Sequence, residues 1–287
     1  MRRAWIFGCG YLGLPLLARW LAADAEVTVM TRSTEKASRV RGLGAQAVVA
    51  DEGGYALPSA APDAIAWAVG FGRAEPQQST RDEAWAGALQ RLLYDLAQRE
   101  WAPRLVYVST TGVYGDAGDA EIDESAATGP RTEGGRAALA AETVARGSAA
   151  DAVAVRLAGI IGPGRPLQNV TEIRRGMVVR SPADNWLNLV HVDDAAHLVD
   201  VVARHASPPA IINAAMDRTP TRREYYEGLA RRLGAPRPQF EPTSEPVNNR
   251  RIVSSVRPGL LAFRYESVDA ALDSMAAAGA ATDVILP

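Results

Sequence analysis

The chain has very little of several residue types that carry chemistry. Its 287 residues include one cysteine, Cys9, and its 31 basic side chains are one lysine, Lys36, and 30 arginines. A single cysteine excludes both a disulfide framework and a cysteine-based metal site. The three histidines, His191, His197 and His205, are too scattered for a metal centre, so we expect no bound metal.

Long apolar runs and a strong charge of one sign are also lacking. No run of about 18 or more apolar residues occurs, so we expect no membrane span. The two arginines near the start precede a short apolar run that ends in Gly-Cys-Gly, which is typical of a first strand rather than a signal peptide. A net charge of −2 gives no sign of a surface for nucleic acid. We expect a cytoplasmic protein with a small-molecule substrate, as a monomer or a homodimer.

The pattern of the first half is that of alternating strands and helices. With 47% apolar and 22% charged residues, the composition is that of an ordinary globular protein. Short apolar runs alternate with helical patterns, which is typical of parallel βαβ units. The predicted strands are 4–7, 27–31, 45–50, 64–70, 104–109 and 152–157. The predicted helices are 11–23, a segment capped by Ser33 and ending near Arg41, 80–99 and 131–147. The second half adds an extended piece at 188–192, a strand within 208–214, and helices at 193–204, 222–233 and 267–278.

A glycine-rich turn follows the first predicted strand. Gly8 permits the tight turn, Gly10 lets backbone approach a pyrophosphate, and Gly13 lets the next helix pack on the strand. The start of that helix, at Tyr11 and Leu12, offers unpaired N–H groups and a positive dipole to phosphate. The motif predicts a dinucleotide site at these five residues; the alternative is a glycine turn with no ligand.

The end of the second strand indicates which dinucleotide binds. NAD-binding proteins place a carboxylate there for the adenosine ribose diol, but this chain has Thr31-Arg32-Ser33. The planar fork of Arg32 suits a 2′-phosphate, and both neighbours offer hydroxyls. We therefore predict NADP(H) as cofactor, with NAD(H) less favoured. The alternative is that Arg32 is a solvated side chain at a strand exit.

The segment after the fifth strand carries a family resemblance. Val108-Ser-Thr-Thr-Gly-Val-Tyr-Gly-Asp116 resembles the Ser-Ser-x-x-Val-Tyr-Gly segment of the extended short-chain dehydrogenase/reductases, which are of the NAD-dependent epimerase/dehydratase type. The resemblance implies that Thr110 polarises a substrate carbonyl and that Tyr114 lies on the substrate side. It also implies that Ser109 and Asp51 lie at the cofactor, Asp51 near the adenine amino group. The alternatives are that the hydroxyls of this segment merely cap a turn and that Asp51 is a carboxylate of a surface turn.

The catalytic pair of that family is missing. Its pattern Pro-x-x-x-Tyr-x-x-x-Lys-x-x-x-Glu, aligned on Pro130 and Glu142, places Gly134 at the tyrosine and Ala138 at the lysine. The chain therefore resembles the atypical members, which keep the fold and lose the pair.

Another group must then move the proton. The candidates are Tyr114, Glu133 and a water held by Thr110. Arg136 is a candidate for binding an anionic substrate group. As an alternative, Glu133 and Arg136 are ordinary charges at a helix start.

Three later segments also match family patterns. Arg156 through Gly164 resembles Arg-x-x-x-x-Tyr-Gly-Pro-Gly, and residues 189–196 resemble Val-His-Val-x-Asp-x-Ala. We expect His191 to be structural, with Asp193 capping the following helix. In the sugar-nucleotide members of that family, a basic residue in the region of Arg250 and Arg251 often reaches a substrate phosphate or carboxylate, and of the two we assign Arg251. The alternative is a surface loop.

These patterns together predict an α/β protein with a Rossmann-type doubly wound parallel sheet and a small discontinuous C-terminal substrate lobe. The NADP-binding domain is predicted at 1–162 plus 188–214, and the lobe at 163–187 plus 215–287. The function implied is an NADP(H)-binding, epimerase/dehydratase-type oxidoreductase acting on a small polar or nucleotide-linked substrate. One alternative is a catalytically silent redox sensor or scaffold that binds NADP(H). Another is an enzyme such as an imine reductase, whose substrate arrives already protonated.

Overall fold

The structure is a computed structural model that describes residues 1–50, 54–69, 79–148, 151–167, 170–241 and 249–281. Within these ranges no helix combines the length and apolar character needed to cross a membrane. The strands are β1 (Arg3–Phe7), β2 (Glu26–Thr31), β3 (Gln46–Val49), β4 (Ala64–Trp67), β5 (Arg104–Thr110), β6 (Glu121–Ile122), β7 (Asp151–Leu157), β8 (Gly159–Ile161), β9 (Val178–Val179), β10 (Leu189–His191), β11 (Ile211–Ala214), β12 (Gln239–Phe240) and β13 (Arg251–Ile252). The helices are α1 (Gly13–Ala22), α2 (Thr34–Gly42), α3 (Ser79–Gln98), α4 (Glu133–Arg146), α5 (Val170–Arg174), α6 (Val192–Arg204), α7 (Arg222–Arg232) and α8 (Val268–Ala281).

The central sheet has seven strands in the order β11-β7-β5-β4-β1-β2-β3. The neighbouring pairs β4–β5, β1–β4, β1–β2 and β2–β3 are parallel. The chain runs outward from β1 to β3 and then returns to β4 on the other side of β1. This reversal is the topological switch point of a doubly wound sheet, next to which ligands bind in such folds. The predicted α/β class and Rossmann-type sheet are confirmed.

Burial on both faces explains why the central strands read as continuous apolar runs. Ala64–Trp67 is wholly buried, and β1 is buried from Ala4 onward. Phe7 of β1 stacks on Trp67 of β4, with ring centroids 4.8 Å apart. Helix α1 covers the sheet with Leu16, Leu17 and Trp20, which recur at helical spacing.

The chain divides into two compact units. The first comprises Met1–Gly115, Thr128–Arg156 and Ala196–Ile212, and the second comprises Asp116–Ala127, Leu157–Ala195 and Asn213–Pro287. The observed second unit is larger than the predicted lobe. It also includes residues 116–127, 157–162, 188–195 and 213–214, which the prediction placed in the first domain. The predicted ranges, with their cofactor and substrate roles, stay predictions.

Short strand pairs and a helical core build the second unit. Strands β8 and β10, β9 and β12, and β6 and β13 form three parallel pairs. Its core includes Tyr225 and Leu229 of α7 and Leu272 of α8. The sequence pattern did not predict α5 or β9, because both are short and lie in a stretch rich in proline and glycine.

The junction of β10 and α6 is held by side-chain bonds within the second unit. The N–H of Asp193 donates to Nδ1 of His191 at 3.2 Å, and Nε2 of His191 lies 3.0 Å from the hydroxyl of Ser274. Asp194 accepts from the backbone N–H groups of Arg264 and Tyr265, both at 2.9 Å. His191 is thus structural, but the expectation that Asp193 caps α6 is wrong, because the helix begins one residue earlier and the His191 ring accepts the N–H.

Candidate functional site

A cavity of about 420 Å³ opens at the switch point of the sheet. Gly8 follows β1 and Ala68 follows β4, the two neighbouring strands whose carboxyl ends meet there. The cavity is lined by Gly8, Cys9, Gly10, Met30, Thr31, Arg32, Ser33, Lys36, Tyr55, Ala68 and Val69. Of the predicted cofactor residues, it therefore brings together Gly8, Gly10 and Arg32.

The three glycines of the turn have different reasons to be glycine. Gly8 has φ of +89°, and a Cβ on it would lie 2.7 Å from the carbonyl oxygen of Ala68. A Cβ on Gly13 would lie 2.3 Å from the carbonyl oxygen of Gly8. Gly10 has neither constraint, since its φ is not positive and a Cβ there would meet no atom within 4 Å. The protein's own packing thus requires Gly8 and Gly13 but not Gly10.

Helix α1 begins at this turn without a capping side chain. Leu12 occupies its N-cap position and makes no side-chain cap bond. By contrast, Ser33, Thr132 and Thr221 cap α2, α4 and α7. The N–H of Leu14 already donates to the carbonyl oxygen of Gly10 at 3.1 Å, and Pro15 has no N–H, so the N–H groups of Leu12 and Gly13 are the ones suited to an anion. Tyr11, Leu12 and Gly13 themselves do not line the cavity.

The cations of the cavity come from the start of α2. Arg32 directly precedes the N-cap Ser33, Lys36 is in the first turn of α2, and both are exposed and line the cavity. No hydrogen bond or ion pair of the Lys36 ammonium is found among the described residues. The hydroxyl oxygen of Thr31 accepts the N–H of Ser33 at 3.2 Å, and the hydroxyl oxygen of Ser33 accepts the N–H of Lys36 at 3.1 Å. Each keeps a hydroxyl proton to donate.

Sequence reasoning missed Lys36 and Tyr55 as site residues. Burial raises the pKa of Tyr55, and the positive charge of Arg32 partly opposes the rise, so phenol and guanidinium are near each other. The predicted cap at Ser33 was a usable signal for Lys36, because a cap side chain bonds to the N–H three residues further on and so places that residue at the helix start. Tyr55 gave no signal, since it lies in a loop. Asp51, the predicted adenine contact, lies outside the described residues.

Thr110 lies at the carboxyl end of β5, where the chain enters a 3₁₀ turn at Thr111–Val113. Its hydroxyl oxygen accepts the N–H of Gly112 at 3.0 Å. The side chain therefore caps the turn, and the hydroxyl can still donate its proton to a carbonyl oxygen. Thr110 is half-buried.

Ser109 and Tyr114 meet in a buried network next to Thr110. Glu142 of α4 accepts from the Ser109 hydroxyl at 2.9 Å. Arg156 of β7 donates to both carboxylate oxygens of Glu142, at 2.6 and 3.1 Å, and to the Tyr114 hydroxyl at 2.9 Å. All four residues are buried. Ser109 and Tyr114 thus bond to protein groups, and neither Glu142 nor Arg156 was assigned a role from the sequence.

Helix α4 presents the altered catalytic positions. Gly134, Ala138 and Glu142 recur at spacing four and share one face, with Ala138 and Glu142 buried. Glu133 is exposed in the first turn. Arg136 is exposed and donates to the carbonyl oxygen of Arg131 at 3.1 Å. The contacts of the described residues link neither Glu133 nor Arg136 to Thr110.

Arg251 belongs to β13 in the second unit. Its guanidinium forms an ion pair with Glu121 of the adjoining β6 and lies over the ring of Trp186, 5.6 Å from the centroid. The side chain of Asn188 accepts from the N–H of Ile252 at 2.7 Å and donates to the carbonyl oxygen of Arg250 at 3.0 Å. Arg251 is thereby held in place within its unit.

Three known proteins are similar to this chain over nearly its whole length. Protein YeeZ of Escherichia coli K12 is 28% identical over 279 residues, which cover 94% of this chain and 97% of YeeZ. The human epimerase family protein SDR39U1, solved with NADPH, superposes with a TM-score of 0.76 at 19% identity, over 96% of this chain and 99% of that one. MoeE5, solved with UDP-glucose and NAD, superposes with a TM-score of 0.74 at 18% identity, over 97% and 99%.

The two structural likenesses show a shared fold. Family membership follows from the sequence profile of the NAD dependent epimerase/dehydratase family, which matches residues 5–215. That range spans the glycine turn, the Thr110 segment, the altered helix α4 and the His191 junction. The chain therefore belongs to the NAD-dependent epimerase/dehydratase family.

Proposed function

We propose that this protein binds NADP(H) and transfers a hydride between the cofactor and a small polar or nucleotide-linked substrate. The observation that carries the proposal is Gly10. Neither backbone conformation nor protein packing requires a glycine there, and the position faces open space at the cavity. A backbone bare of side chain is what close approach of a pyrophosphate needs.

The charges of the cavity support NADP(H) over NAD(H). Arg32 and Lys36 line it, and no carboxylate is among its described lining residues. A 2′-phosphate would add negative charge where two cations already lie, whereas NAD-binding proteins hold the ribose diol with a carboxylate, which the described part of the site does not offer. That SDR39U1 was solved with NADPH also supports this choice, while MoeE5 was solved with NAD.

The chain's own residues would then act as follows. The N–H groups at the start of α1 bind the pyrophosphate, and Arg32 with Lys36 binds the 2′-phosphate. Bound NADPH supplies a hydride at C4 of the nicotinamide. Thr110 donates a hydrogen bond to the substrate carbonyl, and Tyr114, Glu133 or a water on Thr110 supplies the proton.

The proposed substrate class draws on a structural neighbour. MoeE5 was solved with a nucleotide sugar. Arg136 and Arg251 stay our candidates for an anionic substrate group. Nothing in the described residues favours the silent redox sensor.

Titration of the purified protein with NADPH and NADH, followed by nicotinamide fluorescence, tests the proposal. We expect tighter binding of NADPH. Arg32→Gln should weaken NADPH binding roughly 10- to 100-fold, the loss of about 1.5–3 kcal/mol for a charge-assisted bond, and should leave NADH binding unchanged. Arg39→Gln, in α2 and outside the cavity lining, is the control. Equal affinities for both cofactors would reject the NADP preference, and binding of neither would reject the site.

The single lysine allows a second test. An amine-selective acylating reagent can modify only Lys36 and the N-terminal amine. We expect NADPH and adenosine 2′,5′-bisphosphate to protect Lys36, and NADH to protect it less, with the N-terminal amine as internal control. Equal protection by NADPH and NADH would show that Lys36 does not contact the 2′-phosphate.

A further inference from the structure

The face of α4 that lost the family's tyrosine and lysine still carries one charged side chain. Its buried residues are Gly135, Ala138, Ala141, Glu142 and Ala145. Glu142 is 1% exposed and its partner Arg156 is 3% exposed. Burial disfavours charge on Arg156, but hydrogen bonds to Glu142 and Tyr114 outweigh this and raise the pKa of the guanidinium. The guanidinium of Arg156 is therefore charged in the interior, where the Glu142 carboxylate is its ion-pair partner.

Stability alone does not account for this pair. Two apolar side chains of similar volume fill such a space about as well as a buried ion pair, because the pair must first lose its hydration. An ion pair does what apolar residues cannot, since it fixes the direction of the groups that bond to it. Here those groups are the hydroxyls of Ser109 and Tyr114.

The two bonded hydroxyls bracket the turn that contains Thr110. Ser109 directly precedes Thr110 and bonds to Glu142, and Tyr114 ends the turn and bonds to Arg156. Between them, Thr110 accepts the N–H of Gly112. Helix α4 also approaches the turn closely, since a Cβ on Gly135 would lie 2.5 Å from the carbonyl oxygen of Gly112. One ion pair thus holds both ends of a six-residue segment.

We propose that Glu142 and Arg156 are positioning residues that fix the direction of the Thr110 hydroxyl. In the reaction proposed above, they act on the substrate carbonyl only through Thr110, and this part rests on the proposed function. The placement of the Thr110 hydroxyl by this ion pair does not depend on the proposed function.

Amide hydrogen exchange measures that placement without any activity. The Gly112 amide reports it, because its N–H bonds to the Thr110 hydroxyl oxygen. In the double variant Glu142→Leu with Arg156→Met, which removes both charges together, we expect Gly112 to exchange at least tenfold faster. Amides of β1 should keep their rates, whereas a purely global loss of stability would raise both. Unchanged exchange at Gly112 in the folded double variant would overturn the proposal.

Milder variants keep the test decisive if the double variant does not fold. Ser109→Ala and Tyr114→Phe each remove one hydroxyl and leave the ion pair, and together they should also accelerate Gly112 exchange. No acceleration would again overturn the proposal. The control is Asp151→Asn. Asp151 is at the opposite end of β7 from Arg156, and this substitution breaks its ion pair with Arg104. It should leave Gly112 unchanged.

Turnover supplies a separate readout. With an active substrate, the double variant should lower kcat more than tenfold and change KM little. In a Thr110→Val background the same two substitutions should have no further effect on kcat. An equal loss in both backgrounds would refute action through Thr110. If the wild type turns over no substrate, the proposed function fails, and the exchange result still decides the placement.

Discussion

A Cβ atom on Gly13 would lie 2.3 Å from the carbonyl oxygen of Gly8, so helix α1 contacts the end of β1 through bare backbone. Gly13→Ala should therefore lower the free energy of unfolding by about 1–3 kcal/mol, the usual cost of overpacking. Gly10→Ala should leave stability nearly unchanged but weaken NADPH binding at least tenfold. Chemical denaturation and cofactor titration of both variants check this. Tight NADPH binding by Gly10→Ala would contradict the ligand-based reason for that glycine.

His191 should make folding stability depend on pH. Burial lowers the pKa of this ring below its ordinary value of 6.5, although Asp193 and Asp194 oppose the shift. The 3.7 Å separation from the Asp193 carboxylate is therefore not an ion pair, because the ring is neutral and accepts an N–H. Below pH 6.5 the unfolded chain binds a proton that the folded protein does not. The contribution of His191 is thus complete above pH 6.5 and decreases as the pH falls.

Urea unfolding between pH 8 and pH 5 measures this effect. The slope of stability against pH should become shallower in His191→Gln. The same substitution at the exposed His205 is the control for replacing a histidine as such. Identical slopes in all three proteins would show that His191 does not titrate on unfolding.

Cys9 should react slowly for a cysteine beside a cavity. Burial raises the pKa of its thiol to about 11, and the positive charges of Lys36 and Arg39 only partly offset this. The thiolate is the reactive form, and about a thousandth of the thiol is ionised at pH 8. Alkylation by iodoacetamide should be at least about 100-fold slower than in the chain unfolded by guanidinium, and its rate should rise about tenfold per pH unit up to pH 10. Rapid alkylation at pH 8 would contradict the burial of the thiol.

Glu124 should matter more to stability than Glu121, which is three residues earlier in the chain. Its carboxylate accepts from the N–H of Asn213 at 2.8 Å, from the N–H and hydroxyl of Ser255 at 2.9 and 3.0 Å, and from the Ser254 hydroxyl. Glu124→Gln turns an amide N–H₂ toward some of these donors and should cost about 1–3 kcal/mol. Glu121→Gln removes only an exposed ion pair and should cost less than about 1 kcal/mol. Thermal unfolding of the two variants measures their losses of stability, and equal losses would contradict this prediction.

Local sequence patterns were sufficient for the elements around the cofactor cavity. The order of strand, glycine turn and helix at Gly8–Gly13 follows from residue spacing, and the cap at Ser33 follows from hydroxyl chemistry. The sequence did not predict short elements such as α5, because they contain too few residues to show a periodic apolar pattern. The hydrogen bonds of the Arg156 side chain were not predicted for another reason. They depend on how α4 packs against β5 and β7, and no spacing along the chain encodes that packing.

The missing cap of α1 links cofactor concentration to folding. A phosphate bound at Leu12 and Gly13 would complete the first turn of the helix, as Ser33 does for α2, so binding and helix stability share one equilibrium. At a free concentration 100 times Kd, a ligand that binds only the folded state adds about 2.7 kcal/mol to its stability. The abundance of the folded protein in a cell would then follow the size of the nucleotide pool, whatever reaction the protein performs.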